Sequence, residues 1–496
     1  MPRFTVRAAV LVLSCAALPA IRAQETAVPP PPPIVTAPTL TIEECIARAL
    51  KKNFDLKIDA FSTDIALESL NVAKAQFEPT FNASIQRYAT KDLTLTGERR
   101  TDVTDTRVGV SQFIATGADI SLSASLDRNA SNFSLYAFNP VYTSDVALTV
   151  TQPLLRGAGT AFNRSQIERS RVGVRIARLN FTGSVLQIVR DTEAAYYNLV
   201  FAREQLGVKQ HSLELAQRLY EENKTRKLTG VATDLDVLTA EVGIATARNG
   251  VIVAQEGVRN REDALLALIG QFEFDTPLGS VGLVPYQEPS PSFDVSYKLA
   301  REHQPDYLAT IESLKQLQID VDTTKNASRP TLNLGGSVGY NALDRSYRGA
   351  VDAVPNNQSN SWELDLTLSV PWGLHADRAR HRAALATLRQ QEARLQRVDQ
   401  DLLVQVRAAV RAVETNQESV EINRKATELA TRQYELELAR FKAGLSTSRQ
   451  VLQIQDDLES TRVNELLARV NLRIAIANLH QLEASSLERY RITVGQ

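Results

Sequence analysis

Val146-Ala147-Leu148-Thr149-Val150-Thr151-Gln152-Pro153-Leu154-Leu155-Arg156-Gly157 is the stretch on which the fold turns. Its first six residues alternate, so a strand there has one apolar face (Val146, Leu148, Val150) and one small or polar face (Ala147, Thr149, Thr151). Pro153 closes that period, and from about Arg164 to Thr229 apolar residues recur at helical spacing. At 1.5 Å per residue such a helix is on the order of 100 Å long, too long for a globule and suited to a rod. Leu199, Ala202, Leu206, Leu213, Ala216 and Tyr220 form a heptad-like stripe on it that requires a partner helix.

Upstream, Ile120, Leu122, Ala124 and Leu126 alternate with Ser121, Ser123 and Ser125, and Phe81 to Tyr88 and Arg107 to Ile114 are compatible strands. Residues 80–151 therefore read as an antiparallel region of about four strand-like pieces. Before Pro79, Thr41 and Glu44 have capping-box spacing and open a helix that carries Ile46, Leu50, Ile58, Ile65 and Leu70 to about Phe77. Downstream, Gly230 breaks the long helix before a second one, Asp234 to Ile269.

The pattern then recurs. A first repeat over residues 40–276, with its long helix pair at 164–269, is followed by a Pro-rich connector at 277–291 and a second repeat over 292–487. The second holds a helix at Tyr297 to Asn326, strands within 331–370, and a long helix pair within 378–485. Gly230 and Gly444 stand 214 positions apart, and Val237-Leu238 and Val451-Leu452 follow them at the same spacing. Pro79 to Pro153 spans 74 positions and Pro330 to Pro371 spans 41, so the first repeat has room for one further hairpin, near Asp127 to Tyr142.

Arg3 and Arg7, the apolar run Ala8 to Ala20 and the Ile21-Arg22-Ala23 cleavage site make residues 1–23 a secretory signal. Val12-Leu13-Ser14-Cys15 loosely resembles a lipoprotein box, but cutting there leaves an apolar core of about six residues, shorter than a usual signal. Residues 24–39, with five prolines at Pro29 to Pro33, read as an extended linker, and 488–496 as a C-terminal tail. With Cys15 removed, Cys45 is the single thiol and no intrachain disulfide forms. No later run of about eighteen apolar residues stands out, so no transmembrane helix is expected, and membrane entry requires a closed barrel. Lys plus Arg number 56 against 57 Asp plus Glu, which leaves no basic excess for nucleic acid.

These residues resemble the TolC-like outer-membrane efflux protein family, over essentially Leu40 to Ser485. The resemblance is carried by Gln152 to Gly157 with Asn163-Arg164, by Ala195-Tyr196-Tyr197-Asn198-Leu199, and by the two Gly-centred turns with their Val-Leu partners. It implies a mainly α fold with β: a long α-helical coiled-coil tunnel continuing a transmembrane antiparallel β-barrel, built from two tandem repeats in each subunit of a homotrimer. Four strands per subunit is the family pattern, so the extra hairpin leaves twelve strands, twelve with a long extracellular loop, or eighteen all open. The implied partners are a periplasmic adaptor, an inner-membrane transporter and outer-membrane lipid.

The resemblance also assigns adaptor docking to Gly230, Val231, Ala232, Thr233 and Asp234 and to Gly444, Leu445, Ser446 and Thr447. In family tunnels acidic rings lie near positions six and nine after the second glycine; here those are Gln450 and Gln453. Asp456 and Asp457, one turn on, and Asp234 and Asp236 in the first repeat are the remaining candidates for a cation-attracting gate. Nothing reads as catalytic. His211, His303, His375, His381 and His480 are scattered, and Asp377 with His381 supplies two ligands without a third beyond His375, so neither metal nor cofactor is expected. Gly335-Gly336-Ser337-Val338-Gly339 lies within a strand and opens no helix, which argues against phosphate cradling. The rival class is a periplasmic coiled-coil scaffold or adaptor whose strands form a soluble sandwich.

Overall fold

In the computed structural model the described residues are 40–94, 97–133, 137–270, 278–283, 291–355 and 359–493. The signal, the Pro-rich linker, Cys15 and most of the 277–291 connector lie outside them.

Thr41 caps α1 (Ile42–Lys52) by accepting from the Glu44 amide at 3.2 Å. The single helix expected as far as Phe77 is two, because Asn53 ends α1 and starts α2 (Phe54–Ala75). Its buried side chain accepts from the Asp55 and Leu56 amides at 2.8 and 3.2 Å and donates to the Leu268 carbonyl at 3.1 Å. Apolar spacing continues across that cap, which hid the break.

Four strands follow, β1 (Thr80–Thr94), β2 (Gly97–Phe113), β3 (Asp119–Ser131) and β4 (Val141–Pro153). The extra hairpin expected near Asp127 to Tyr142 falls where β3 ends and β4 begins, and these antiparallel neighbours give the first half four strands against two in the second. After a short turn of helix, α3 (Thr160–Asn163), come α4 (Ser165–Leu228) and α5 (Asp234–Leu268). At 64 residues, α4 is about 96 Å long.

The second half opens with α6 (Phe293–His303) and α7 (Pro305–Ala327). These replace the one helix expected over Tyr297 to Asn326, because Pro305 has no amide with which to extend α6 and Gln304 instead caps the Tyr307 amide at 2.7 Å. Then come β5 (Thr331–Asp344), the short helix α8 (Tyr347–Ala353), β6 (Ser359–Ser369), α9 (His375–Lys442), α10 (Ser448–Glu483) and α11 (Ser486–Arg489).

The six strands form one antiparallel sheet in chain order, with Leu148 opposite Val338 where the two halves meet. The register places Phe81, Ala83 and Ile85 (β1), Val108 and Val110 (β2), Ile120, Leu122, Ala124 and Leu126 (β3), and Val146, Leu148 and Val150 (β4) on one face. Val338 and Tyr340 of β5 and Trp362, Leu364, Leu366 and Leu368 of β6 extend that face without interruption.

Helix packing supplies the core. Midway along the rods, α1, α4, α5 and α10 enclose Cys45, Ile46, Val189, Leu199, Leu265, Ile269 and Val470. A second cluster joins α6, α7, α9 and α10 through Ala300, Tyr307, Val406, Val410, Val413 and Ile476. Leu199, Ala202 and Ala216 of the heptad stripe are buried. The expected tail at 488–496 is not free as far as it is described: Tyr490 and Ile492 pack on the first cluster, and the Tyr490 hydroxyl donates to the buried Glu193. Among the described residues one helix, α5, is long and apolar enough to cross a membrane by length and composition, which the sequence did not suggest because small residues interrupt its apolar runs. It packs along α4 instead and leaves Leu235, Leu238, Val242, Ile252 and Val253 exposed.

Candidate functional site

The helix-to-helix turns are built alike. Gly230 and Gly444 adopt φ of 77° and 78°, the left-handed region that ends a helix without a Cβ clash. The Val231 and Leu445 amides then return to the Arg226 and Arg440 carbonyls, each at 2.9 Å. Thr233 and Asp236 cap α5 reciprocally: the Thr233 hydroxyl accepts from the Asp236 amide at 3.3 Å, and the Asp236 carboxylate accepts from the Thr233 amide at 2.9 Å. Those bonds hold the Asp236 carboxyl below the ordinary aspartate range. Thr447 caps α10 through the Gln450 amide at 3.3 Å. Leu228, Val231, Leu235 and Leu445 stay largely exposed at these ends.

Sequence reasoning missed what joins the two turns. Arg226 of α4 donates to the Phe441 carbonyl of α9 at 2.6 Å. The Ser448 hydroxyl donates to the Asn223 side-chain oxygen at 2.9 Å, both residues buried. Further up, Gln455 donates to the Ser212 carbonyl at 2.9 Å, and Lys209 pairs with Glu459. Buried Ser, Asn and Gln on an otherwise apolar seam were the available signal.

The gate candidates differ in their surroundings. Asp236 is used in its cap, and Gln453 donates to Asp457 at 3.3 Å. Asp456 lies near Glu459; partial burial first, then Glu459 and Asp457, raises its carboxyl above the ordinary aspartate range against the pull of Lys209. The Asp377 and His381 pair is engaged elsewhere. Asp377 holds Arg380 at 2.6 Å and Arg156 at 3.4 Å, while His381 Nδ1 meets the Thr324 hydroxyl at 3.3 Å.

Gln152 to Gly157 forms the junction of sheet and rods. Leu154 and Arg156 amides donate to the Leu332 and Pro330 carbonyls at 2.7 and 3.2 Å, and the Gly157 amide donates to the Asn326 side chain at 2.8 Å. Buried Asn163 donates to the Gly157 and Gly159 carbonyls, both at 2.9 Å. The β2–β3 turn docks here: the Thr116 hydroxyl donates to Gln152 at 3.1 Å and the Thr116 carbonyl accepts from the Gly159 amide at 3.1 Å.

The sequence profile of outer membrane efflux proteins matches residues 117–271 and 296–484. Outer membrane protein OprJ of Pseudomonas aeruginosa is 25% identical over 205 residues, which are 41% of this chain and 40% of that relative, so the match spans well under two thirds of its length. Among solved structures, CusC superposes with a TM-score of 0.69 at 14% identity, covering 90% of this chain and 93% of that one. The CmeC outer membrane channel of Campylobacter jejuni gives 0.66 at 16% identity, over 91% and 89%. At such identities the likeness is one of fold.

Proposed function

The chain belongs to the outer membrane efflux protein family, and from that premise we propose that it is one subunit of a homotrimeric conduit that passes cargo from an inner-membrane transporter to the exterior. It is an outer-membrane protein of the efflux channel class that extends into the periplasm. The observation that carries the finer reading is the apolar face running unbroken across all six strands, with about 100 Å helices leaving from one end of the strands. A lipid-facing sheet must close, because unpaired backbone groups in hydrocarbon cost several kcal/mol each. Both edge strands, β1 and β6, are exposed along their whole length. Three copies joined β6 to β1 pool eighteen strands, within the range at which barrels enclose an aqueous channel. The exposed apolar residues of α5 fit a neighbouring subunit's helices in the tunnel.

Two tandem repeats organise the subunit, and the turns at Gly230 to Asp234 and Gly444 to Thr447 are the far ends of the tunnel. Their exposed Val231, Leu235 and Leu445 offer apolar contact to the helical hairpins of a periplasmic adaptor. The conduit makes and breaks no bonds: lining charge and width set passage, and the transporter supplies energy.

Membrane fractionation with planar-bilayer conductance tests this. The purified oligomer should need detergent and conduct ions; a soluble oligomer without conductance would favour the scaffold. Charge or bulk at Gly230 and Gly444 should abolish export with trimers intact, and unchanged export removes the docking role.

A further inference from the structure

The outward face of the sheet changes character toward the strand ends away from the helices. Along β1 the apolar Phe81, Ala83 and Ile85 give way to Arg87 and Lys91; along β2 Val110 and Val108 give way to Asp102, Arg100 and Glu98; along β3 Leu126 gives way to Arg128. All six charged residues share the apolar face, since Lys91 stands opposite Arg100, and Arg87 and Arg128 both stand opposite Thr104.

Their pairing is lopsided. Asp102 holds Arg87 at 2.9 Å and Arg128 at 3.5 Å, while Glu98 holds Lys91 at 2.9 Å and also Arg100. Four cations thus share two carboxylates. The side chains of Arg87, Lys91 and Arg100 keep 71%, 61% and 69% of their exposure, so water and outside groups reach them. Exposed ion pairs add about 0 to 1 kcal/mol to a fold, so stability does not account for this surplus.

A second observation fixes the level. Arg128 stands opposite Tyr142, whose ring meets that of Tyr347 edge-on with centroids 4.3 Å apart. The Ser144 hydroxyl donates to the Ala350 carbonyl at 2.6 Å, so α8 lies against this same outward face. Aromatic pairs and amphipathic helices in such a place mark the boundary between hydrocarbon and headgroups.

We propose that Arg87, Lys91, Arg100 and Arg128 form a binding site for the phosphate groups of lipid headgroups in the outward-facing leaflet. Guanidinium forks donate paired hydrogen bonds to phosphate oxygens, the ammonium of Lys91 adds a point charge, and Asp102 and Glu98 hold the cations in place. Because the patch is cationic, phosphate docks directly, with no bridging metal ion. The assignment rests on the apolar face meeting lipid, which planar-bilayer conductance checks independently.

The detergent-purified oligomer, examined by native mass spectrometry, is titrated with a bisphosphorylated glycolipid, with its dephosphorylated counterpart and with inorganic phosphate. The phosphorylated lipid should be retained in excess chelator, and the dephosphorylated one should not. Arg100→Gln with Arg128→Gln should weaken retention roughly thirtyfold, at about 1 kcal/mol per cation, while conductance is unchanged. If that double variant fails to assemble, Lys91→Gln alone should still weaken retention about fivefold. Equal retention of the dephosphorylated lipid, release by chelator, competition by equimolar inorganic phosphate, or unaltered retention in a conducting variant would each overturn the site.

Discussion

The guanidinium of Arg226 sits 4.5 Å from the centroid of the Phe441 ring while donating to the Phe441 carbonyl, so one side chain clasps the end of α9 from the end of α4. The clasp lies one turn before both Gly-centred bends. Removing it in Arg226→Ala should loosen both bends by about 1 kcal/mol, the scale of a cation–π contact plus a hydrogen bond. Hydrogen exchange at 226–234 and 441–448 should accelerate about fivefold, with the core cluster around Val189 and Leu199 unaffected. Equal exchange in wild type and variant would show that Asn223 and Ser448 hold the ends without Arg226.

At Gly444 the left-handed φ makes side-chain shape decide. Gly444→Val should cost about 1–2 kcal/mol, because a β-branched residue is strained there, whereas Gly444→Asn should cost less. Comparing the two in denaturant separates backbone strain from docking. If Asn blocks export as fully as Val while folding normally, the side chain obstructs a partner rather than the turn.

Cys45 is fully enclosed among α1, α4 and α5, and that burial pushes its thiol to about 12. Thiolate is the reactive species, so at pH 8 a disulfide reagent should label the unfolded chain stoichiometrically and the folded oligomer hardly at all. Rapid labelling of folded protein would mean that the first core cluster opens locally.

Asp456 titrates in the opposite sense from a salt-bridged carboxylate. Its raised value means that the folded state binds the proton more tightly than the unfolded one, so its effect on stability worsens as pH rises from the ordinary aspartate range through the raised value. Asp456→Asn should therefore stabilise the α10 end at pH 7 and make no difference below the ordinary aspartate range. A denaturation series at the two pH values decides it: a stability gain at the lower pH would refute the burial argument.

The change of period at Pro153 placed the sheet and α4 correctly because the alternation Val146, Leu148, Val150 ends there and helical spacing follows. Strand length was less legible. Thr90 to Thr94 of β1 and Gly97 to Asp105 of β2 are polar on both faces apart from Leu93 and Val103, so the alternation disappears while the ladder continues. The breaks at Asn53 and Gln304 were hidden for the converse reason, since apolar spacing persists across a side-chain cap. Tyr490 was read as tail because a single aromatic beyond the last helix has no periodicity; its contact with Glu193 exists only after 297 residues of chain have folded back. The glycines at 230 and 444 were plain from the sequence, whereas Arg226 was one cation among many until α9 was beside it.

Leu366 and Thr367 are adjacent on β6 and face opposite ways, so they put the orientation of the sheet to a direct test. Leu366 continues the apolar face beside Leu334, while Thr367 stands beside Asn333 on the other. That other face is polar by construction: a Cβ on Gly335 would lie 1.9 Å from the Asp365 carboxylate, so the glycine leaves space that the carboxylate fills. An arginine on a lipid-facing strand at mid-depth costs about 2–4 kcal/mol, and a lumen substitution alters selectivity instead. Leu366→Arg should thus reduce assembled oligomer in outer-membrane fractions, whereas Thr367→Arg should assemble normally and shift conductance toward anions. Equal assembly of both variants would mean that neither face meets hydrocarbon, and the sheet would then have to close around something other than a water-filled pore.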